Sequence, residues 1–188
     1  MQENKQTMRW QADEQRWSQL MAASHQGDKA AYTQLLTELT GVLTAYLQVQ
    51  FGKFELVEDC VQECLLAVHK ARHTYDPARD FRPWLFTIAR HKTIDVLRQS
   101  NRHVATDTLI EEVEDASTDG FNRVLDGAKM ILRLSPDHRE VLVMTKYFGL
   151  TTLEAAESIG ISESAVKARL RRGLNIIKKD WEAESIYP

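Results

Sequence analysis

The sequence predicts an all-α protein of two small helical domains, and three observations lead to that prediction. Glycine and proline are sparse, at eight and four in 188 residues. Apolar residues recur at helical spacing in several segments, whereas no alternating β-branched run marks a strand. The chain is 43% hydrophobic and 27% charged, which is typical of a globular protein with a buried core.

The charged residues are segregated along the chain, although the formal net charge is only -3. Residues 104–122 carry six acids and no base, a composition typical of a flexible linker, and basic blocks lie on both sides. We therefore expect an N-terminal tail over residues 1–24, a first domain over 25–103, an acidic linker over 104–122 and a second domain over 123–182. Two basic surfaces joined by such a linker suggest a protein that meets one polyanion twice.

The N-terminal residues lack the apolar stretch of a signal peptide, and no later segment resembles a membrane span. Two cysteines, Cys60 and Cys64, are too few for a disulfide framework and fit a reducing compartment. A zinc site with His69 and His73 is disfavoured, because on one helix the histidines point almost opposite to the cysteines. We therefore expect a cytoplasmic protein with no membrane insertion, no metal and no cofactor.

The segment "FELVEDCVQECLLAVHK" predicts a helix with two unlike faces. Its core stripe comprises Val57, Val61, Cys64, Leu65 and Val68, with Cys60 at the edge. Leu66 lies on the opposite side among acidic and amide side chains. This arrangement predicts a docking surface for a basic protein partner, and the alternative is one ordinary exposed leucine on a solvated face.

The segment "FRPWLFTIARHKTIDVLRQSNR" predicts a second two-faced helix, of opposite charge. One stripe of it comprises Trp84, Thr87, His91, Asp95, Arg98 and Arg102, flanked by Lys92 and Gln99. An aromatic ring among basic residues suits unpaired nucleic acid, because it can stack on an exposed base. The alternative is that Trp84 anchors the core at the start of the helix.

The C-terminal part predicts three further helices. The first begins with Ser135 as N-cap and Pro136 at the first helical position, and it ends at Gly149. The second is only about two turns long and begins with a capping box of Thr151 and Glu154.

A turn at Gly160 then leads to a longer helix capped by Ser162, and this layout is that of a helix-turn-helix. Its inner side is predicted to comprise Val166, Leu170, Leu174 and Ile177. Its outer side is basic and comprises Ser164, Lys167, Ala168, Arg171, Arg172, Asn175, Lys178 and Lys179. Cationic side chains neutralise phosphates, and a small residue lets the helix approach base edges, so we predict that this face reads duplex DNA. The alternative is a solvated basic face.

The sequence lacks the features of two other classes of function. A ligand-sensing transcription regulator would need a pocket or a receiver domain, and the first half of the sequence indicates neither. An enzyme would need a nucleophile motif, a phosphate-binding loop or a close acid pair, and none is visible. We therefore expect no catalytic activity of its own.

From about residue 26 to residue 181 the chain resembles bacterial RNA polymerase sigma factors of the extracytoplasmic-function group, within the sigma-70-like family. Three ordered motifs carry the resemblance: "VEDCVQECLLAV", "FRPWLFTIARHKTIDVLR" and "LSPDHREVLVMTKYFGLTTLEAAESIGISESAVKARLRRG". Members of this group lack the middle domain of housekeeping sigma factors, and we expect none here and no domain appended after Trp181.

The resemblance implies a role for each predicted surface. The first domain would bind the β′ clamp helices of core RNA polymerase through Glu58, Asp59, Gln62, Glu63 and Leu66. It would open and read the minus-ten promoter element through the loop from Thr74 to Arg82 and the helix after it, with Arg82, Trp84, Thr87, His91 and Arg98 as the reading residues. The second domain would sit on the β flap and read the minus-thirty-five element through Ser164, Lys167, Ala168, Arg171 and Arg172. The linker would follow the path that nascent RNA later takes, and an anti-sigma factor would control the protein in a stress or envelope response.

Two positions depart from the family pattern. His91 stands where an asparagine usually follows I-A-R, and Leu65 stands where an aromatic residue is usual. These departures leave the preference for downstream bases open.

Overall fold

The computed structural model describes residues 2–52, 55–101 and 130–184, which form helices and turns without a strand. The N-terminal helices are α1 (Gln2–His25), α2 (Lys29–Phe51), α3 (Val57–Ala71) and α4 (Phe81–Asn101), with a 3-10 turn at Arg72–Thr74. The C-terminal helices are α5 (Pro136–Leu142), α6 (Thr152–Ile159) and α7 (Glu163–Glu184), with a π-helical turn at Val143–Tyr147. The all-α prediction is confirmed. The predicted linker, residues 104–122, lies outside the described residues.

The chain divides into two compact units. The first comprises Met1–Ala45 and Glu55–Asp107, and the second comprises Tyr46–Phe54 and Thr108–Pro188. The end of α2 therefore groups with the second unit, which differs from the predicted boundaries. The edge of the Tyr46 ring meets Phe148 at 5.5 Å between centroids, and Arg139 donates a hydrogen bond of 2.9 Å to the Gln50 carbonyl. These contacts cannot be predicted from the local sequence pattern, because their partners are distant in the sequence.

The predicted N-terminal tail instead belongs to the fold of the first unit. Residues 2–25 form α1, and Trp17 on that helix is 1% exposed. Met21, one turn later, is also buried. Trp17 donates its indole N–H to Glu38 on α2 at 2.9 Å. The physical reason for the difference is an apolar i, i+4 pair that needs burial and finds it against the neighbouring helices.

Helices α3 and α4 pack together within the first unit and place two candidate faces outward. The buried side of α3 comprises Val57, Cys60, Val61, Cys64 and Val68, as predicted, while Leu65 is partly exposed. The Cys64 thiol lies 3.7 Å from the Ala89 carbonyl on α4. Leu66 therefore points away from this contact.

In the second unit, α5 begins where predicted but does not continue unbroken to Gly149. Ser135 occupies the N-cap position and Pro136 the first turn, yet the Ser135 hydroxyl pairs with His138 Nδ1 at 2.8 Å rather than with a backbone amide. From Val143 the backbone widens into the π-helical turn, in which the Phe148 amide donates to the Val143 carbonyl at 3.2 Å.

The helix-turn-helix forms as its local chemistry requires. Thr151 and Glu154 make the complete reciprocal capping box at the start of α6. Gly160 ends α6 at φ 80°, a left-handed conformation that favours glycine. Ser162 then accepts a hydrogen bond of 3.2 Å from the Ala165 amide and caps α7.

The prediction that Leu174 lies on the inner side of α7 is wrong. Leu174 is 44% exposed, whereas Gly173 is buried. An α-helix turns about 100° per residue, so a buried line through Val166 and Leu170 continues through residue 173 rather than 174. Gly173 permits a close approach between helices, because a Cβ there would lie 3.4 Å from the Cβ of His138.

Candidate nucleic-acid and polymerase interfaces

The basic face of α7, which we define by Ser164, Lys167, Ala168, Arg171 and Arg172, lies outward as predicted. Four of its members are exposed, and Ala168 is partly exposed between them. Val166 and Leu170 on the other side of the helix are buried, which fixes the rotation of α7. A face with cations around a small residue has the shape and charge needed to enter a major groove.

Ion pairs divide the cations of α7 into two groups. Lys167 lies 2.8 Å from Glu163, and the Lys167 ammonium together with the Thr152 hydroxyl holds the pKa of Glu163 below its ordinary value. Arg169 is bound to Asp137 on α5 at 2.8 Å and faces away from the basic face. Within the described part of the chain, Arg171 and Arg172 have no ion pair. These two arginines are therefore the best placed to bind DNA without first breaking a contact.

The acidic-apolar face of α3, which we define by Glu58, Asp59, Gln62, Glu63 and Leu66, also lies outward. Leu66 is 51% exposed, one of the few large apolar side chains in the described residues that remain in solvent. Glu58, Asp59 and Gln62 are exposed beside it, on the same side of the helix. A central apolar side chain within an acidic rim fits a partner that brings an apolar pocket and basic residues.

Glu63 differs from the other members of this face because it already has a partner. Its carboxylate lies 3.1 Å from the Lys92 ammonium on α4. The pair spans the two helices, and both side chains are partly exposed. A basic partner protein would compete with Lys92 for Glu63, so we expect this residue to contribute less than Asp59.

The α4 stripe, which we define by Trp84, Thr87, His91 and Arg98, is less uniform than the sequence suggests. His91 and Arg98 are exposed. Thr87 is partly buried and donates its hydroxyl to the Pro83 carbonyl at 2.7 Å. Trp84 is partly exposed, and its indole N–H donates to the Thr74 hydroxyl at 3.2 Å. Trp84 therefore fits both alternatives in part, because its ring packs on Tyr75 and Phe81, at 5.4 and 5.2 Å between centroids, while the side chain remains partly exposed.

His91 presents one defined nitrogen to solvent. Its Nδ1 lies 2.7 Å from the Thr87 carbonyl, one turn back on α4. Since a carbonyl only accepts, Nδ1 carries the proton. In the neutral ring, Nε2 is then a hydrogen-bond acceptor on an exposed side chain, where the family's asparagine would offer both a donor and an acceptor.

Arg82 is not a surface residue, and the prediction that it contacts DNA does not fit the structure. It is 6% exposed, and its guanidinium carbon lies 4.8 Å from the centre of the Trp17 ring. Its terminal nitrogen lies 3.4 Å from the Asp13 carboxylate. Burial lowers the pKa of Arg82, while the Asp13 and Glu14 carboxylates oppose that shift. The prediction fails because helix α1 covers this arginine and removes it from the surface.

Sequence reasoning missed the residues of α1 that lie beside the candidate site. The Glu14 carboxylate accepts hydrogen bonds from the backbone amides of Phe81 and Arg82 at the start of α4. Burial raises the pKa of Glu14, and these two amides oppose the shift. The i, i+4 spacing of Trp17 and Met21 was the signal that could have placed α1 in the fold.

The four residues considered for zinc have other surroundings. Cys60 and Cys64 are buried, and burial raises the pKa of each thiol to about 11. His69 is exposed and its Nδ1 lies 2.8 Å from the Tyr32 hydroxyl. Among the described residues no group of three or more potential ligands is arranged for a metal.

None of the described helices has both the length and the apolar character required to cross a membrane.

Comparison with known proteins finds one family model for each half of the chain. The family model described as Sigma-70 region 2 matches residues 31–103, and the one described as Sigma-70, region 4 matches residues 128–176. The first therefore contains α3 and α4, and the second contains the helix-turn-helix.

Curated relatives match over most of the chain. The ECF RNA polymerase sigma factor SigF of Caulobacter vibrioides is 37% identical over 171 residues, which cover 87% of this chain and 93% of SigF. The ECF RNA polymerase sigma factor SigL of Mycobacterium tuberculosis is 35% identical over 150 residues, which cover 77% of this chain and 85% of SigL.

Solved structures match the fold. CnrH, in complex with the cytosolic domain of CnrY, superposes with a TM-score of 0.63 at 28% identity, over 89% of this chain and 98% of CnrH. RpoE of Bartonella quintana, in complex with the anti-sigma factor NepR, gives a TM-score of 0.63 at 24% identity, over 79% of this chain and 94% of RpoE. With two matched sigma-70 regions and relatives similar over nearly their whole length, the chain belongs to the extracytoplasmic-function group of the sigma-70 family of RNA polymerase sigma factors.

Proposed function

We propose that this protein binds core RNA polymerase and directs it to a specific set of promoters. The observation that carries the proposal is the presence of two unlike surfaces on one chain. The acidic-apolar face of α3 suits a protein partner, and the basic face of α7 suits duplex DNA. An ordinary helix-turn-helix regulator has no need of the first surface.

The proposed division of labour follows the two surfaces and the α4 stripe. The α3 face binds the β′ clamp helices of the polymerase, with Leu66 at its centre. The basic face of α7 reads the minus-thirty-five element while its unit sits on the β flap. Trp84, His91 and Arg98 on the α4 stripe, with the loop before it, open and read the minus-ten element. Polymerase supplies the chemistry, so we assign no catalytic step to this chain, and we place its action in the cytoplasm with polymerase.

Control by an anti-sigma factor is part of the proposal. CnrH and the Bartonella RpoE were both solved in complex with a partner, and the partner of RpoE is named as an anti-sigma factor. We expect such an inhibitor to cover the acidic-apolar face of α3 or the basic face of α7, which polymerase and promoter would otherwise occupy. We expect one for this protein that responds to stress or to the state of the envelope.

The test is run-off transcription with purified core polymerase and a pool of genomic promoter fragments. The expected result is a discrete set of transcripts that require the protein and share two sequence elements. Transcripts that are the same with and without the protein would contradict the proposal. An Arg171→Ala variant serves as an internal check, because it should change which fragments are chosen while polymerase remains bound.

A further inference from the structure

The start of α4 receives its cap from a distant part of the chain. The amides in the first turn of a helix have no partner within the helix and need an acceptor. Here Glu14 on α1 supplies both of its carboxylate oxygens, one to the Phe81 amide and the other, at 3.1 Å, to the Arg82 amide. The acceptor and the second donor are separated by 68 residues. A carboxylate at this end of the helix also interacts favourably with the helix dipole.

The same carboxylate helps to hold Arg82 under α1. The Arg82 Nε lies 3.7 Å from Glu14, and its terminal nitrogen lies 3.3 Å from the Trp10 carbonyl and 3.4 Å from Asp13. A buried cation is tolerated only where such partners surround it. Arg82 and Glu14 therefore act as one polar unit that fixes the first turn of α4 against α1.

An aromatic cluster connects the fixed first turn of α4 to Trp84 on the α4 stripe. The Phe81 ring lies 5.9 Å from Trp17, 5.0 Å from Tyr75 and 5.2 Å from Trp84, between centroids. Tyr75 also holds the loop before α4, because its hydroxyl donates to the Arg79 carbonyl at 3.0 Å. Phe81 therefore links Glu14 to Trp84 directly, through its backbone amide and its ring, and Tyr75 supports the same tryptophan at 5.4 Å between ring centroids.

We propose that Glu14 and Arg82 are positioning residues for promoter reading, which hold the loop at residues 75–80 and the first turn of α4 in the geometry that meets the minus-ten element. The inference rests on the proposed function of α4. It assigns to Arg82 a role beneath the reading surface instead of a contact with DNA. It also makes α1 a functional part of the minus-ten reader.

The test compares promoter discrimination by holoenzyme made from core polymerase and the full chain. A promoter found by run-off transcription is paired with one copy altered in the minus-ten element and one altered in the minus-thirty-five element. Open complexes on each are measured by permanganate reactivity of unpaired thymines. The ratio between paired promoters is the useful quantity, because loss of folded protein lowers both members equally.

The variants are Glu14→Gln, Glu14→Asp and the control Glu38→Gln. Glutamine keeps the shape of Glu14, but it offers only one acceptor oxygen to the two amides and no charge to Arg82. Glu38 is a matched control, because its hydrogen bonds among the described residues join Arg16 and Trp17 on α1 to α2, and none of them goes to a backbone amide of α4. Glu14→Asp keeps the carboxylate on a side chain that is one methylene shorter and reaches the two amides less well, so it should lower the minus-ten ratio, but by less than Glu14→Gln.

We expect Glu14→Gln to lower discrimination at the minus-ten element about tenfold, which corresponds to about 1.4 kcal/mol. Discrimination at the minus-thirty-five element and the affinity for core polymerase should stay unchanged. Glu38→Gln should keep both discrimination ratios. An unchanged minus-ten ratio in Glu14→Gln, or an equal loss in Glu38→Gln, would overturn the proposal.

Variants of the exposed stripe separate this inference from the proposed function. His91→Ala and Arg98→Ala change the reading surface itself and leave the contacts of Glu14 intact. If neither alters opening or discrimination at the minus-ten element, the role of α4 fails and the inference falls with it. If they alter it and Glu14→Gln does not, only the positioning role fails. Should Glu14→Gln not fold, the minus-ten ratio of Glu14→Asp decides, and a wild-type value there would count against positioning by this carboxylate.

Discussion

Replacing Leu66 with glutamate is expected to abolish binding to core polymerase and to leave the fold intact. Leu66 is 51% exposed, so about half of its side chain remains to be buried by a partner. Full burial of a leucine contributes about 1.5–3 kcal/mol, and the remaining half should therefore contribute about 1 kcal/mol. Loss of that contribution alone, as in Leu66→Ala, should weaken the affinity roughly fivefold.

Glutamate at position 66 adds a larger penalty, because it would bring an unpaired charge into the centre of an interface with an acidic rim. Burial of a polar group without a partner costs about 1–3 kcal/mol or more, and a charge costs more than a neutral group. We therefore expect Leu66→Glu to weaken core binding by at least about a hundredfold. Asp59→Arg should act in the same direction, because it reverses the rim charge.

The assay is fluorescence anisotropy of protein labelled at its N-terminus and titrated with core polymerase. Thr37→Glu is the matched control, because it adds the same charge to an exposed position on α2. Thermal unfolding should stay close to wild type for each variant, since surface substitutions usually change stability by about 0.5 kcal/mol or less. Wild-type affinity in Leu66→Glu, or an equal loss in Thr37→Glu, would refute the reasoning about this face.

Three further predictions concern the rest of the molecule. Arg171→Ala should weaken the free energy of binding to promoter DNA by about 1–3 kcal/mol and relax the preference at one base of the minus-thirty-five element. Lys178→Ala should instead weaken binding to all sequences equally and lower the slope of log affinity against log salt concentration by about one. Identical selected sequences for wild type and Arg171→Ala would count against direct reading of a base. Burial raises the pKa of the Cys60 and Cys64 thiols to about 11, so at pH 8 both should resist alkylation until the protein unfolds. Rapid stoichiometric labelling of the native protein would contradict their burial. Gly160→Ala should destabilise the second unit by about 1 kcal/mol in denaturant titration through backbone strain at φ 80°, with no steric clash, and unchanged stability would show that the turn adapts.

Features that depend on neighbouring residues could be predicted from the sequence. The capping box of Thr151 and Glu154 and the left-handed turn at Gly160 need only residues within one turn, and both form as predicted. The outward position of Leu66 also follows from helical spacing alone. The same reasoning placed the basic face of α7 on the outside.

Features that depend on distant residues could not be predicted in this way. Arg82 appears in the sequence as one more cation in a basic segment, and only the packing of α1 reveals that Asp13 and Glu14 bury it. The helical period predicts Leu174 on the inner side with Val166, Leu170 and Ile177, although the buried line along α7 passes through Gly173. The contact partners of Arg82 lie on another helix, about which single-helix periodicity carries no information. The error at Leu174 is instead one of rotation, which the turn of about 100° per residue accounts for.

The central claim is that this chain reads promoters as a subunit of polymerase and not alone. Its most direct test is an electrophoretic shift of a promoter fragment with the protein alone, core polymerase alone and the two together. We predict a specific, heparin-resistant complex only with both, and its loss in Leu66→Glu although the basic face of α7 is intact. Equally tight and specific binding by the protein alone, unaffected by Leu66→Glu, would contradict the account.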